Sequence, residues 1–271
     1  VPSSPYQTTG KTEEAFERTV RFWRRLQERL CTHRERLPWG TAFLDLDHPV
    51  RYDSNHLWLD GAATGASAEA IAGEADRIFG GAGLSHRKII VVREAEGVRL
   101  GLGFGERGYQ VARDVTMALQ GEPEADVDTS AVEVVGFATV RPAIETATAR
   151  EPYGTSGDVV RQLTDYKGKL EREIGCRFYV ARADGRVAAF CELYVIDGVA
   201  QVEDVNTLEE FRGRGLAKAV VTAAARDARD EGCDLVFLYA DRDDWPQQMY
   251  AKLGFRPLGN SMEFTLEPPP A

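Results

Sequence analysis

The residues best suited to chemistry in this 271-residue chain lie in its second half, where Arg212-Gly213-Arg214-Gly215-Leu216-Ala217 closes a strand-like run and leads directly into a helical pattern. The first turn of a helix leaves several main-chain N–H groups without intrahelical partners, and those donors favour an anion. Gly213 and Gly215 remove the Cβ atoms that would hold a diphosphate away from the backbone, while Arg212 and Arg214 add opposite charge at the same place. The segment is neither a Walker phosphate loop, having no Gly-Lys-Ser/Thr, nor a dinucleotide fingerprint, since the G-x-G-x-x-G spacing fails at Lys218. A glycine turn with two solvated arginines is the bland alternative. Against it stands the context: strand before, helix after, and Gln248-Met249-Tyr250-Ala251-Lys252-Leu253-Gly254-Phe255 about 35 residues further on.

Other reactive side chains are scattered. Cys31, Cys176, Cys191 and Cys233 lie far apart without C-x-x-C spacing, so they read as free thiols. Cys31 and His33 are the nearest thing to a ligand pair, and His48, His56 and His86 add no cluster, so no metal is expected. The net charge of −10 opposes a nucleic-acid backbone and suits small cationic substrates. No stretch approaches the roughly 20 apolar residues that span a bilayer, and Val1 to Thr12 lack the character of a secretory signal. A soluble, cytoplasmic monomer or homodimer is the expectation.

The elements that must position the loop follow from periodicity. Phe16, Val20, Trp23, Leu26 and Leu30 recur at helical spacing, predicting a helix over Glu13 to Leu30. Strands are expected at Thr41 to Leu46 and Asn55 to Leu59, a helix at Ser67 to Phe79, and strands at Lys88 to Val92 and Ala112 to Leu119. The acidic, turn-rich Gly121 to Ser130 reads as a linker. Beyond it a strand is expected over Val132 to Val140, a helix over Asp158 to Ile174 stopped by Gly175, and strands at Phe178 to Ala183, Val187 to Val195 and Val199 to Thr207. Asp184-Gly185 and Asp197-Gly198 mark hairpins between those three. A helix from Leu216 to Asp230, a strand at Leu235 to Ala240, a short helix through Gln247 to Lys252 and a strand at Ser261 to Leu266 complete an α+β order with a mostly antiparallel sheet opening onto a βαβ unit.

Leu102-Gly103-Phe104 and Leu253-Gly254-Phe255, 151 residues apart, suggest a duplicated fold. In that register the Ser67 to Phe79 helix matches Leu216 to Asp230, Gly61 to Ala66 replaces the arginine-bearing loop, and Arg99 aligns with Tyr250.

The second half resembles the GCN5-related N-acetyltransferase (GNAT) superfamily. Arg212 to Ala217 looks like that family's Q/R-x-x-G-x-G/A pyrophosphate loop, and Tyr250 to Phe255 like its Y-x-K-x-G-F segment, within about 140 residues from Val132 onward. The first half resembles the degenerate copy of tandem members. The resemblance implies residues 131–271 as a catalytic domain binding acyl-coenzyme A, and residues 1–125 as a partner that closes the acceptor pocket, with Tyr52, Asp53 and Asn55 as lining candidates.

It implies further that acetyl-coenzyme A lies between the strands Val199 to Thr207 and Leu235 to Ala240. Its diphosphate would sit on Arg212, Gly213, Arg214, Gly215, Leu216, Ala217 and Lys218, and its pantetheine arm on the main chain of Val205, Asn206 and Thr207. An N–H near Val205 would polarise the thioester carbonyl. Asp243, seven residues before Tyr250 where many relatives carry an asparagine, is assigned to the same coenzyme-binding set. Tyr250 takes the general-acid position, its phenol close enough in pKa to a thiol to protonate the leaving thiolate.

An ammonium acceptor must lose a proton before it can attack. Glu203 is the leading base, on the same side as Val205 if the strand is regular; a bulge would bring Asp204 round instead. Either carboxylate could alternatively bind substrate charge or pair with a nearby arginine. Cys191 and Cys233 have no histidine beside them, which favours direct transfer in a ternary complex over an acyl-enzyme. The expected reaction moves an acetyl group to a primary amine of a small molecule. Alternatives are a longer acyl donor, a coenzyme A-binding protein whose catalysis has lapsed, and transfer from aminoacyl-tRNA, which the acidity opposes.

Overall fold

The computed structural model describes residues 10–61, 65–123, 126–154 and 156–268. The first half runs α1 (Gly10–Leu30), β1 (His33–Leu37), β2 (Gly40–Leu44), β3 (His56–Leu59), α2 (Ala68–Gly81), β4 (Arg87–Val91), α3 (Glu94–Gly105) and β5 (Gln110–Leu119). The second runs β6 (Val132–Val135), α4 (Phe137–Arg150), α5 (Gly157–Ile174), β7 (Arg177–Ala183), β8 (Arg186–Ile196), β9 (Val199–Thr207), α6 (Leu216–Asp230), β10 (Leu235–Asp241), α7 (Pro246–Lys252) and β11 (Phe255–Leu266). Each half thus repeats three strands, a helix, a strand, a helix and a strand.

All the strands join one sheet in the order β1-β2-β3-β4-β11-β5-β10-β9-β8-β7-β6. Only β3/β4 and β9/β10 are parallel, so the mixed, mostly antiparallel sheet expected from the sequence is present. The final strands are exchanged: β11 pairs with β4 of the first half, and β5 pairs with β10 of the second. The halves are therefore tied by continuous main-chain ladders rather than by side-chain contact alone.

Period-two alternation divides the sheet into two faces. Phe43, Trp58, Ile90, Phe178, Val180, Phe190, Tyr194 and Phe237 point to one, where α1, α4 and α5 cover them. On the other, Leu57, Ile89 and Phe264 pack under α2 and α3, and Val115, Val202, Val236 and Leu238 under α6 and α7. Helix α1 follows its apolar stripe across the join between the halves. Phe22 meets Phe237 edge-on at 5.2 Å, and Trp23 meets Tyr239 at 5.4 Å while stacking on Trp58 at 5.8 Å. Its approach to β11 requires Gly259, where a Cβ would lie 2.7 Å from the Phe16 ring.

Turn chemistry acts as the sequence implies. Asp184 and Gly185, and Asp197 and Gly198, all have positive φ, the conformation of two-residue hairpin turns. Gly175 caps α5 with φ 66°. Three expectations are corrected. The strand from Val132 stops at Val135, and Phe137 to Val140 open α4, whose buried Val140, Ala143, Ile144 and Ala147 keep helical spacing despite the interior Pro142. Strand β1 was missed because four consecutive polar residues, His33 to Arg36, form an edge strand with no apolar alternation.

The third correction concerns the repeat. Leu102-Gly103-Phe104 lies inside α3, whereas Leu253-Gly254-Phe255 leaves α7 and starts β11. The equivalent turn glycines are Gly108 (φ 81°) and Gly254 (φ 92°), an offset of 146. Phe104 therefore matches Tyr250, in place of Arg99. Each pairs with the aromatic five residues later, Phe104 with Tyr109 at 5.2 Å and Tyr250 with Phe255 at 6.2 Å. Part of the Gly61 to Ala66 segment, part of the Gly121 to Ser130 linker and the first nine residues lie outside the described residues. No helix among the described residues is long and apolar enough to cross a membrane.

Candidate active site

The site begins where two parallel strands part. Leu235, Val236 and Phe237 of β10 pair with Val199, Ala200 and Gln201 of β9, and there the ladder ends although both strands continue. From Val202 to Thr207 the β10-facing edge of β9 is without a strand partner, leaving main-chain donors and acceptors for something else to satisfy.

Within that free stretch, β9 carries a bulge. Phe190 pairs with Asn206 and Glu192 with Glu203, so Asp204 and Val205 together face Cys191, and Asp204 takes φ 49°. The bulge breaks alternation. Glu203 and Asp204 both line a cavity on the α1/α5 face, while Val205 packs with Tyr250 and Cys191 on the α6 face. The regular-strand expectation, Glu203 and Val205 on one side, is thereby replaced by the bulged alternative.

Lys167 of α5 determines how the two carboxylates differ. Its ammonium bridges Asp204 at 2.9 Å and the fully buried Glu192 at 2.7 Å, and Tyr194 also donates to Glu192. Asp204 is thus held in an ion pair. Glu203 has no ion pair among the described residues and accepts from the Gln201 amide. Burial raises the Glu203 carboxyl to about 7; Lys167 opposes that rise, and Asp204 and Glu192 add to it. A group near 7 can hold or release a proton at neutral pH, as a general base must.

Tyr250 stands on the other side of the gap. It is 7% exposed on α7 within the α6-face core, and burial, followed by the charges of Glu203, Cys191 and Asp204, raises its phenol. The hydroxyl remains protonated at neutral pH and lies in the field of both carboxylates. Pro246 occupies the first turn of α7 and the adjoining Trp245 is exposed, so both serve the helix start. Asp243 lies on the exposed loop before α7 and donates its N–H to Asp241 at 2.7 Å; no side-chain contact links it to the gap.

The arginine-glycine loop lies at the end of β9. A short 3₁₀ turn over Glu209–Phe211 leads to Gly213 and Gly215, both at φ 78°, and Gly215 caps α6. Neither glycine would meet an atom within 4 Å if given a Cβ, so their need for glycine is conformational and the space beside them is open. The first α6 bond runs from Ala219 N–H to the Gly215 carbonyl at 3.1 Å, which leaves the N–H groups of Leu216, Ala217 and Lys218 without helical acceptors. Arg212 donates to the Thr207 carbonyl at 3.3 Å, and Arg214 lies over the Phe211 ring at 5.3 Å. The Thr207 hydroxyl, buried between loop and gap, has no partner among the described residues.

On the opposite face the cavity measures about 1130 Å³ and is shared by both halves. Tyr52 and Asp53 line it, as expected for the first half. Asn55 does not: it is fully buried, and its side chain ties the main chain of Asp45, His48 and Arg51. Arg99 pairs with Glu96 on α3, away from both faces of the gap. Cys191 is fully buried in β8, which removes it as an acyl carrier.

Lys167, Glu192, Tyr239 and Asp114 escaped the sequence reading. Lys167 had a signal: it falls on the apolar stripe of α5 between Leu163 and Leu170, where a lysine must find a buried partner.

Residues 141–255 match the model of the Acetyltransferase (GNAT) family. Over 95 residues the chain is 27% identical to the uncharacterized N-acetyltransferase YobR of Bacillus subtilis, an alignment spanning 34% of this chain and 38% of that protein. Among solved structures, a GCN5-related N-acetyltransferase from Kribbella flavida superposes over 97% of both chains with a TM-score of 0.65 at 17% identity. A tandem GNAT protein from the clavulanic acid biosynthesis pathway superposes over 89% of this chain and 85% of its own, with a TM-score of 0.54 at 16% identity. The two structures speak to the fold, which they share across both halves. The sequence match to the Acetyltransferase (GNAT) family thus lies within the second half of the chain, over residues 141–255.

Proposed function

We propose that the protein is an N-acetyltransferase that moves an acetyl group from acetyl-coenzyme A to a primary amine of a small molecule by direct attack in a ternary complex. The observation that carries this reading is the gap beyond Phe237 and Gln201, with Tyr250 on one side and Glu203 on the other. The donor enters from the α6 face and the acceptor from the cavity.

The diphosphate is held by Gly213, Gly215 and the free N–H groups of Leu216, Ala217 and Lys218, with Arg212 and Arg214 as counter-charges. The pantetheine arm takes the place of a strand against Val205, Asn206 and Thr207, satisfying their open edge. Glu203 accepts a proton from the acceptor ammonium. The freed lone pair forms the new C–N bond at the acetyl carbonyl, the C–S bond breaks, the thiolate takes its proton from Tyr250, and the second proton shed by the newly bonded nitrogen restores the Tyr250 hydroxyl. An N–H in the bulge at Val205 stabilises the oxyanion that forms between those events.

Residues 131–271 supply these groups, and residues 1–125 close the acceptor pocket through Tyr52 and Asp53. In the first half Phe104, standing where the second has Tyr250, has no hydroxyl to give, which limits catalysis to one site.

Thiol release from acetyl-coenzyme A across a panel of primary amines is the direct test. Acetylation of one amine, abolished by Glu203→Gln, supports the reading. Tight binding of acetyl-coenzyme A without thiol release to any amine would leave a coenzyme A-binding protein instead, and release only from longer acyl thioesters would change the donor.

A further inference from the structure

The cavity holds two similar charge clusters at different ends. At the gap, Lys167 is shared by Glu192 and Asp204 and leaves Glu203 over. On the wall built by β4, β5 and β11, Lys88 is shared by Asp53 and Glu263 and leaves Asp114 over. Neither Glu203 nor Asp114 has an ion pair among the described residues, although both line the same cavity. The remaining lining cation, Arg51, lies over the Tyr166 ring at 4.0 Å, donates to Ser54 at 2.7 Å and approaches Asp53 at 3.9 Å.

Between the two ends runs an aromatic wall. Tyr239 stands on β10, between β9 and β5, with Trp23 against it and Trp58 stacked behind, and all three line the cavity. Asp114 is opposite Asp241, two residues past Tyr239, on the second strand from Glu203. Ordinary ladder and rise spacings would put the two backbones on the order of 12 Å apart, and the parting of β9 from β10 widens that separation. Gln201, fully buried beside Glu203 on β9, gives its amide N–H to that carboxylate and so fixes its orientation at the cavity edge.

We propose that the acceptor is an extended diamine or polyamine, one primary amine being delivered to Glu203 for acylation while a second ammonium group is held by Asp114. A monoamine would fill only the near end. The methylene chain lies along Tyr239 and the tryptophans, where apolar burial and cation–π attraction both favour it. Burial and the neighbouring Glu263 raise the empty Asp114 carboxyl to about 8, a strain that a bound ammonium relieves. An acceptor bearing a carboxylate would meet repulsion at that end.

This inference rests on the N-acetyltransferase reading, and one pair of probes separates them. Acetylation of diaminooctane and octylamine is compared in the full-length protein and in Asp114→Asn, together with calorimetric binding of each amine without acetyl-coenzyme A. Diaminooctane should exceed octylamine in kcat/KM by at least roughly tenfold, and Asp114→Asn should erase that advantage, bringing the ratio of the two kcat/KM values to about one. Equal kcat/KM for the two amines in the wild type, preference for an amino acid, or an equal loss for both amines in Asp114→Asn overturns the second-cation site but leaves the acetyltransferase standing. Binding of diaminooctane that depends on Asp114, with no thiol released to any amine, supports the site and removes the acetyltransferase.

Discussion

Phe237 and Gln201 form the last pair joining β10 to β9, and two residues further on Tyr239 and Glu203 no longer share a ladder. A sheet interrupted there becomes a passage between its two faces. One face brings Tyr250 and the arginine-glycine loop, the other a cavity lined by Glu203 and Asp114, neither in an ion pair among the described residues.

Tyr250→Phe removes the hydroxyl and keeps the ring against Phe255. Turnover should fall by about 10²- to 10⁴-fold with little change in acetyl-coenzyme A affinity or melting temperature. Steady-state kinetics with separate measurement of binding checks this, and an unchanged kcat would deny Tyr250 the acid role.

Glu203 and Asp114 tie stability to pH in a definite direction. Their carboxyls rise from ordinary values of 4.5 and 3.8 to about 7 and about 8, burial being the main cause in each. The folded state therefore holds those protons more tightly than the unfolded chain, so their contribution is complete below about pH 4 and is lost as pH rises through 7 to 8. The double variant Glu203→Gln, Asp114→Asn should lose less melting temperature between pH 5 and pH 8 than the wild type, by roughly a few degrees. A difference that is flat across that range would refute the assignment.

Lys167 sets the charge state of the bulge. Lys167→Met leaves Glu192 fully buried and Asp204 without its cation, and should destabilise the fold by about 3 to 5 kcal/mol. Adding Glu192→Gln should recover a large part of that loss in denaturant titrations. Absence of recovery would mean that the lysine acts through packing alone.

The loop glycines are needed for conformation rather than space. Gly213→Ala and Gly215→Ala each place a Cβ at φ 78°, at a cost of about 1 to 2 kcal/mol. If the loop relaxes instead of bearing that strain, acetyl-coenzyme A binding should weaken by about tenfold while amine binding holds. Equal affinity in all three proteins, read by calorimetry, would move the diphosphate elsewhere.

Much of the fold was legible because local rules carry it. The apolar spacing of Phe16, Val20, Trp23, Leu26 and Leu30 predicts α1, the two Asp-Gly turns fix the β7–β8–β9 meander, and Gly175 ends α5. Pro142 hid α4, and three matching residues at 151 suggested a register that the turn glycines at 146 replace.

By itself the sequence determined the glycine-arginine loop of Arg212 to Lys218 at a helix start and the presence of a tyrosine one βα unit later, since both rest on residue type and short-range spacing. Tertiary structure alone decided which carboxylate is free. A one-residue bulge turns Asp204 toward Lys167, and Lys167 and Glu192 reach it from α5 and β8, elements distant along the chain. The same holds for the cavity, whose walls come from exchanged strands of both halves and exist only once β5 and β11 have crossed. Charge neutralisation and cavity shape depend on long-range contacts, and no local pattern encodes them.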